Sequence, residues 1–215
     1  YDAAFARVLN DFTKPVEMTV PTALTGELRP YQQVGLRWLW TNVSKGFGSC
    51  MADDMGLGKT IQAAGLIDRI KAKRVLILTL ASLKINWERE IRDVVHQDYK
   101  YQILFKVADK VDESANVIIC NYDLIIHKAI KSQLTKLHYD VIILDEAHNL
   151  SNMEAQRSKN VYSNTGLIRC ADRVYALTGT PVRNRPKDFY IMLKVLAPEC
   201  IEPYTNYEDY VVRYC

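Results

Sequence analysis

Apolar positions change their spacing along this chain. Phe5, Val8, Leu9 and Phe12 fall at i, i+3, i+4 and i+7, which is one face of a helix. Pro15 and Pro21 then predict an extended connector. A second helix is expected over Tyr31–Val43, with Leu36, Trp38, Leu39 and Trp40 as its apolar content. Beyond it, short runs that are apolar at every position alternate with helical stretches. Strands are predicted at Gly48–Ala52, Arg74–Thr79, Tyr101–Phe105, Asn116–Asn121, Val141–Leu144 and Arg173–Thr178. Helices are predicted at Lys59–Ile70 and Ser82–Val95, the latter with Ser82 as its N-cap.

Strands without polar alternation are buried on both faces, and intervening helices supply the cover. The pattern predicts an α/β fold with a mostly parallel sheet and helices on both faces. Ligands of such sheets gather outside the carboxyl ends of the strands. A length of 215 residues, 48% hydrophobic, suffices for one sizeable core. The longest apolar run, Val75–Leu83, is too short to cross a bilayer, so no membrane partner is expected. Five scattered cysteines, none in a C-x-x-C pair, suggest reduced thiols and an intracellular setting. A net charge of +3 permits a phosphate-backbone partner without arguing for one. The chain opens on Tyr1 rather than Met, as a piece of a longer protein would.

Three strand ends carry candidate chemistry. The first is ADDMGLGKT, Ala52 to Thr60. Its close, Gly58-Lys59-Thr60, is how a phosphate-binding loop ends, with main-chain N–H groups and a helix start for the anion. Lys59 would reach the β- and γ-phosphates, and the Thr60 hydroxyl would hold Mg²⁺. The loop opens unusually on two acids, Asp53 and Asp54, where the general pattern has a glycine. A plain strand-to-helix turn also fits GKT alone. The second is VIILDEAH, Val141 to His148. Two carboxylates ending a buried strand are costly unless a cation meets them. Asp145 would bind Mg²⁺ and Glu146 would orient or deprotonate a water; a solvated acidic turn is the bland alternative. The third is LTGTP, Leu177 to Pro181, whose hydroxyls and glycine suit either a phosphate-sensing loop or a polar turn.

Together with LRPYQQVGLRWL (Leu28 to Leu39), these motifs stand in the order seen in superfamily-two helicase-like ATPases. More narrowly, the chain resembles the SWI/SNF-type double-stranded DNA translocases, in particular their bacterial and annealing-helicase-like members. The resemblance runs from Leu28 to the end and implies a RecA-like P-loop NTPase lobe. Residues 1–27 would be a helix and proline-containing lead-in, and residues 28–215 the first of two lobes.

The resemblance implies ATP and Mg²⁺ as cofactors. It also implies Asp53, Asp54, Met55, Gly56, Leu57 and Gly58 as the loop around the phosphates, and Gln32 as the reader of adenine. Lys59, Asp145 and Glu146 would be catalytic. LASLKINWEREI and CNYDLI are similar to segments that lie along DNA, which implies Ser82, Lys84, Asn121 and Tyr122 as backbone contacts. A capping Ser82, a solvated Lys84 and a core Tyr122 remain open beside that role. His148, Thr178, Gly179 and Thr180 would couple the motifs. In this branch an acid pair commonly opens the loop. The expectation is that Asp53 and Asp54 point away from phosphate, onto loop N–H groups or a base such as Arg183 or Arg29.

Double-stranded DNA and a second lobe of the same parent chain are the implied partners. The setting would be a bacterial or phage-host cytoplasm, or a nucleus. A DEAH-type RNA helicase, a restriction-system motor and a catalytically silent scaffold are the competing readings. The tyrosines at 204, 207, 210 and 214, at roughly helical spacing, read as packing residues.

Overall fold

A computed structural model describes residues 28–152, 154–181, 190, 192–193, 196 and 207–214. The expected first helix, the proline connector, Arg183 and Tyr204 lie outside the described residues.

The described chain runs α1 (Pro30–Ser44), β1 (Ser49–Met51), α2 (Lys59–Ile70), β2 (Val75–Thr79), α3 (Lys84–Val94) and β3 (Tyr101–Ile103). It continues β4 (Val117–Asn121), α4 (Lys128–Leu134), β5 (Tyr139–Asp145), α5 (Gln156–Tyr162) and β6 (Ala171–Leu177), with α6 (Tyr207–Tyr214) last. The strands form one six-stranded sheet in the order β1-β6-β5-β2-β4-β3. Every pairing is parallel, so all carboxyl ends share one edge.

The uniformly apolar strands are explained by two separate cores. Val75 and Ile77 of β2 join Leu36, Leu39, Ala63, Ile67, Trp87 and Ile91 on the face covered by α1, α2 and α3. Leu76 and Leu78 point the other way, to Ile130, Leu134, Leu150 and Val161. Consecutive residues of one strand therefore serve opposite cores, and each fully buried aliphatic side chain contributes about 1.5–3 kcal/mol of transfer free energy.

Two boundaries differ from the pattern reading for local reasons. Ser82 caps nothing: a 3-10 turn, Ala81–Leu83, precedes α3, and Leu83 N–H bonds back to Leu80 O at 3.0 Å. β3 stops at Ile103, before Phe105, because the Asp109 carboxylate takes the N–H groups of Phe105 (2.7 Å) and Lys106 (3.0 Å) and turns the chain. Those two main-chain bonds also hold Asp109 below its ordinary pKa.

Candidate nucleotide site

Three strand ends meet at one level of the sheet edge. Met51 of β1 and Asp145 of β5 both pair with Leu177 of β6. The phosphate-loop strand and the acidic strand are thus two strands apart, about 10 Å at ordinary strand spacing. They are not neighbours: β6, which carries LTGTP, lies between them.

The loop from Ala52 to Gly58 returns to α2 through two left-handed glycines, Gly56 (φ 82°) and Gly58 (φ 79°). At Gly58 a β-carbon would also lie 2.4 Å from Gln32 Nε2. Gln32, from the first turn of α1, is buried. Its Oε1 accepts the Arg29 N–H at 2.9 Å and its Nε2 donates to Leu57 O at 3.2 Å. The residue expected to read adenine therefore also ties α1 to the loop.

Lys59 folds back over the loop, its Nζ donating to Asp53 O (2.8 Å) and Asp54 O (2.9 Å). Three ammonium hydrogens can serve phosphate oxygens in the same place. Asp53 Oδ2 accepts from Gln62 Nε2 of α2 at 3.4 Å. Its carboxylate is thus engaged by a neutral amide inside the loop rather than by Arg29; Asp54, Met55, Gly56 and Leu57 are exposed. Thr60 is half-buried in the first turn of α2.

Asp145 is buried and closely held. Its Oδ2 accepts from Thr79 Oγ1 and from Trp87 Nε1, both at 2.7 Å, and its main-chain O accepts from Tyr122 OH at 2.6 Å. Both side-chain donors fall on Oδ2, which leaves Oδ1 as the oxygen available to a cation. A carboxylate oxygen and the Thr60 hydroxyl are hard donors suited to Mg²⁺, which takes one or two such protein ligands beside phosphate and water. The donor set therefore fits the metal.

Glu146 adopts the left-handed region, φ 47° and ψ 48°, unusual for a residue with a side chain. That backbone turns the chain straight into the Ala147–Leu150 turn. His148 Nδ1 lies 3.2 Å from Glu146 Oε2 and 3.0 Å from Thr178 Oγ1. Asn149 Nδ2, a donor only, approaches His148 Nε2 at 3.3 Å. Nδ1 thus stands between the carboxylate and the threonine, while Nε2 faces the Asn149 amide. Thr178 N–H donates to Met51 O at 3.0 Å, and Thr178 Oγ1 accepts the Thr180 N–H at 3.1 Å. Gly179 packs so closely that a β-carbon would lie 2.9 Å from Met55 Cγ. One unbroken set of contacts thus runs from Glu146 through His148 and Thr178 to the phosphate loop.

The residues expected along DNA are corrected in part. Ser82 is exposed, but Lys84 is only 4% exposed. Its Nζ donates to Leu104 O (2.6 Å) and Asn121 Oδ1 (3.0 Å) and lies 4.8 Å from the Phe105 ring centroid. Lys84 is thus neither a solvated lysine nor a phosphate contact here, and burial pushes its pKa down. Asn121 and Tyr122 are buried as well. Sequence reasoning attached no role to Thr79, Gln62 or Trp87. The signal for Thr79 was a hydroxyl closing an otherwise aliphatic strand; for Trp87, a polar-tipped ring on the buried face of a helix.

Residues 31–214 match the family model described as the SNF2-related domain. Putative ATP-dependent helicase/translocase YwqA of Bacillus subtilis is 34% identical over 79% of this chain and 19% of its own length. SNF2 domain-containing protein ENL1 of Oryza sativa is 29% identical over 91% of this chain and 21% of its own. Chromatin-remodeling ATPase INO80 of Aspergillus oryzae is 29% identical over 91% and 14%. The Sulfolobus solfataricus SWI2/SNF2 ATPase core, solved in complex with dsDNA, superposes with a TM-score of 0.78 at 26% identity, covering 91% of this chain and 40% of that one. The chain spans about a fifth or less of the length of these curated relatives. With its parallel sheet, phosphate-type loop and acidic strand end in the order of a helicase-like ATPase, the chain belongs to the SNF2-related domain family.

Proposed function

We propose that this chain is the first ATP-binding lobe of a motor that moves along double-stranded DNA. One observation carries the reading: the loop ending in Lys59 and Thr60 and the strand ending in Asp145 and Glu146 flank the same strand, β6, at one level. In this reading Gln32 meets the adenine, Lys59 and the loop N–H groups hold the phosphates, and Thr60 with Asp145 Oδ1 holds Mg²⁺. The metal would neutralise charge developing on the transferred phosphoryl group. Glu146 takes the proton of, or orients, the attacking water. The Glu146–His148–Thr178 contacts make that carboxylate sensitive to the loop.

Hydrolysis then requires arginines from a second lobe elsewhere in the parent chain, a contribution worth roughly 10³–10⁵ in rate in related sites. The relative solved with dsDNA supports a duplex partner. The test is ATP hydrolysis by the full-length protein that contains this chain, with duplex DNA, RNA or neither. Duplex DNA should stimulate turnover, and Lys59→Ala and Glu146→Gln should each remove the stimulated rate. Stimulation by RNA alone, or unchanged turnover in both variants, overturns the reading.

A further inference from the structure

Asp145 is held by groups that none of the motif roles assigns. Of its two side-chain donors, Thr79 closes the adjacent strand. The other, Trp87, comes from α3. Trp87 is 1% exposed, and its ring packs with Val75, Ile77 and Ile91 in the core under that helix. Its Nε1 is a donor only, and its hydrogen bond goes to the Asp145 carboxylate at the carboxyl end of β5. The residues just before α3 behave in the opposite way. Leu80, Ala81 and Ser82 are exposed at the carboxyl edge of the sheet. Lys84 fastens the start of the helix to Leu104 and Asn121. A single short segment therefore starts as a solvent-facing turn, is pinned at Lys84, and ends one turn later on Asp145.

We propose that Trp87 is a positioning residue for the metal-facing carboxylate. With Thr79 it engages Oδ2 and so fixes which oxygen, Oδ1, is offered to a divalent cation. This rests on Asp145 being the Mg²⁺ ligand. The physical ground is general: groups bonded to a ligand's second atom set its orientation, and their loss typically costs 10–100-fold in metal affinity or activity. A Trp87 that merely fills the core has no reason to alter metal dependence.

The experiment measures binding of a fluorescent, non-hydrolysable ATP analogue to the full chain, in EDTA and across a Mg²⁺ titration. Wild type is compared with Trp87→Phe, Thr79→Val and Asp145→Asn. Thr79→Val removes a donor from the same oxygen while leaving the ring in place, so the outcome does not hang on whether Trp87→Phe folds. The indole N–H signals of the three tryptophans are followed by NMR, with Trp87 identified by its loss in the Phe variant.

The expected result is that Trp87→Phe and Thr79→Val bind the analogue as wild type does in EDTA. Trp87→Phe and Thr79→Val should need about tenfold more Mg²⁺ to reach half the metal-dependent gain. The Trp87 indole signal should shift on adding Mg²⁺ with the analogue in wild type and not in Asp145→Asn. If Asp145→Asn abolishes the Mg²⁺ gain while Trp87→Phe and Thr79→Val keep it within twofold, Trp87 is a core residue and the proposal fails by itself. If Asp145→Asn keeps the gain, the assignment of Asp145 fails and the proposal falls with it.

Discussion

At Gly58 two independent demands meet: a left-handed backbone (φ 79°) and a Gln32 amide that would stand 2.4 Å from any β-carbon. Alanine there costs about 1–2 kcal/mol in backbone strain and also pushes Gln32 away from Leu57 O. Gly58→Ala should therefore lower the thermal midpoint and, in the same preparation, weaken nucleotide binding at least tenfold; calorimetry and an analogue titration read the two effects. The acids that open this loop have a physical role in it. Asp53 and Asp54 lend their carbonyls to Lys59, and the Asp53 side chain accepts from Gln62. None of that was legible, because a main-chain carbonyl's partner leaves no mark on residue type. Tyr175 offers a contrasting test. Among the described residues its buried hydroxyl has no hydrogen-bond partner, which costs about 1–3 kcal/mol. Tyr175→Phe should raise stability by about 1 kcal/mol in urea titrations; a loss of stability would show that the hydroxyl is satisfied in solution.

Elements were the most legible level. The Lys59–Ile70 prediction matches α2 at both ends, because a left-handed Gly58 precedes it and a left-handed Lys71 follows. Each strand was found within about two residues, since burial on both faces gives uninterrupted apolar runs. Edges were harder to read where side chains decide them, as Asp109 does after β3. Lys84 shows what spacing leaves out: its position along α3 says which face it occupies, not that Leu104 O and Asn121 wait there. Those two bonds clamp the carboxyl ends of β3 and β4, and β3 is a three-residue edge strand paired only with β4 among the described strands. Lys84→Met keeps the length of the side chain but leaves both acceptors without this donor. It should cost about 1–3 kcal/mol, reduced by the relief of a buried charge. Hydrogen exchange should quicken first at Leu104, whose N–H donates to Ile119 O of β4, before the β2–β5 ladder is affected. Equal loss of protection across the sheet would mean that Lys84 supports the core at large rather than this edge.

For the molecule as a whole, the parallel sheet was legible and the strand order was not. β6 inserts between β1 and β5 through pairings more than a hundred residues apart along the chain on the β1 side, and periodicity carries no trace of such distance. The consequence of this double-sided burial is chemical as well as geometric, because it places weak acids where their anions are poorly solvated. Burial pushes Cys50 from 9.0 to about 11, Cys120 from 9.0 to about 12 and Tyr99 from 10.0 to about 12. Tyr139 and Tyr175 are raised in the same direction. Between the unfolded and folded values the native chain holds protons that the unfolded chain has released, so stability falls as pH rises. These contributions are intact below pH 9 and lost as pH climbs through the folded values. Lys84 acts with opposite sign: its folded pKa lies below 10.5, so the unfolded chain holds the extra proton in that window and stability gains there. One lysine against several thiols and phenols leaves a net decline. The midpoint of urea unfolding should drop steadily from about pH 9 upward, and Cys50→Ala should flatten the part of that slope below pH 11. A midpoint that stays level to pH 11 would mean that these groups are hydrated in the native state, and that the two cores on either side of the sheet are looser than their packing implies.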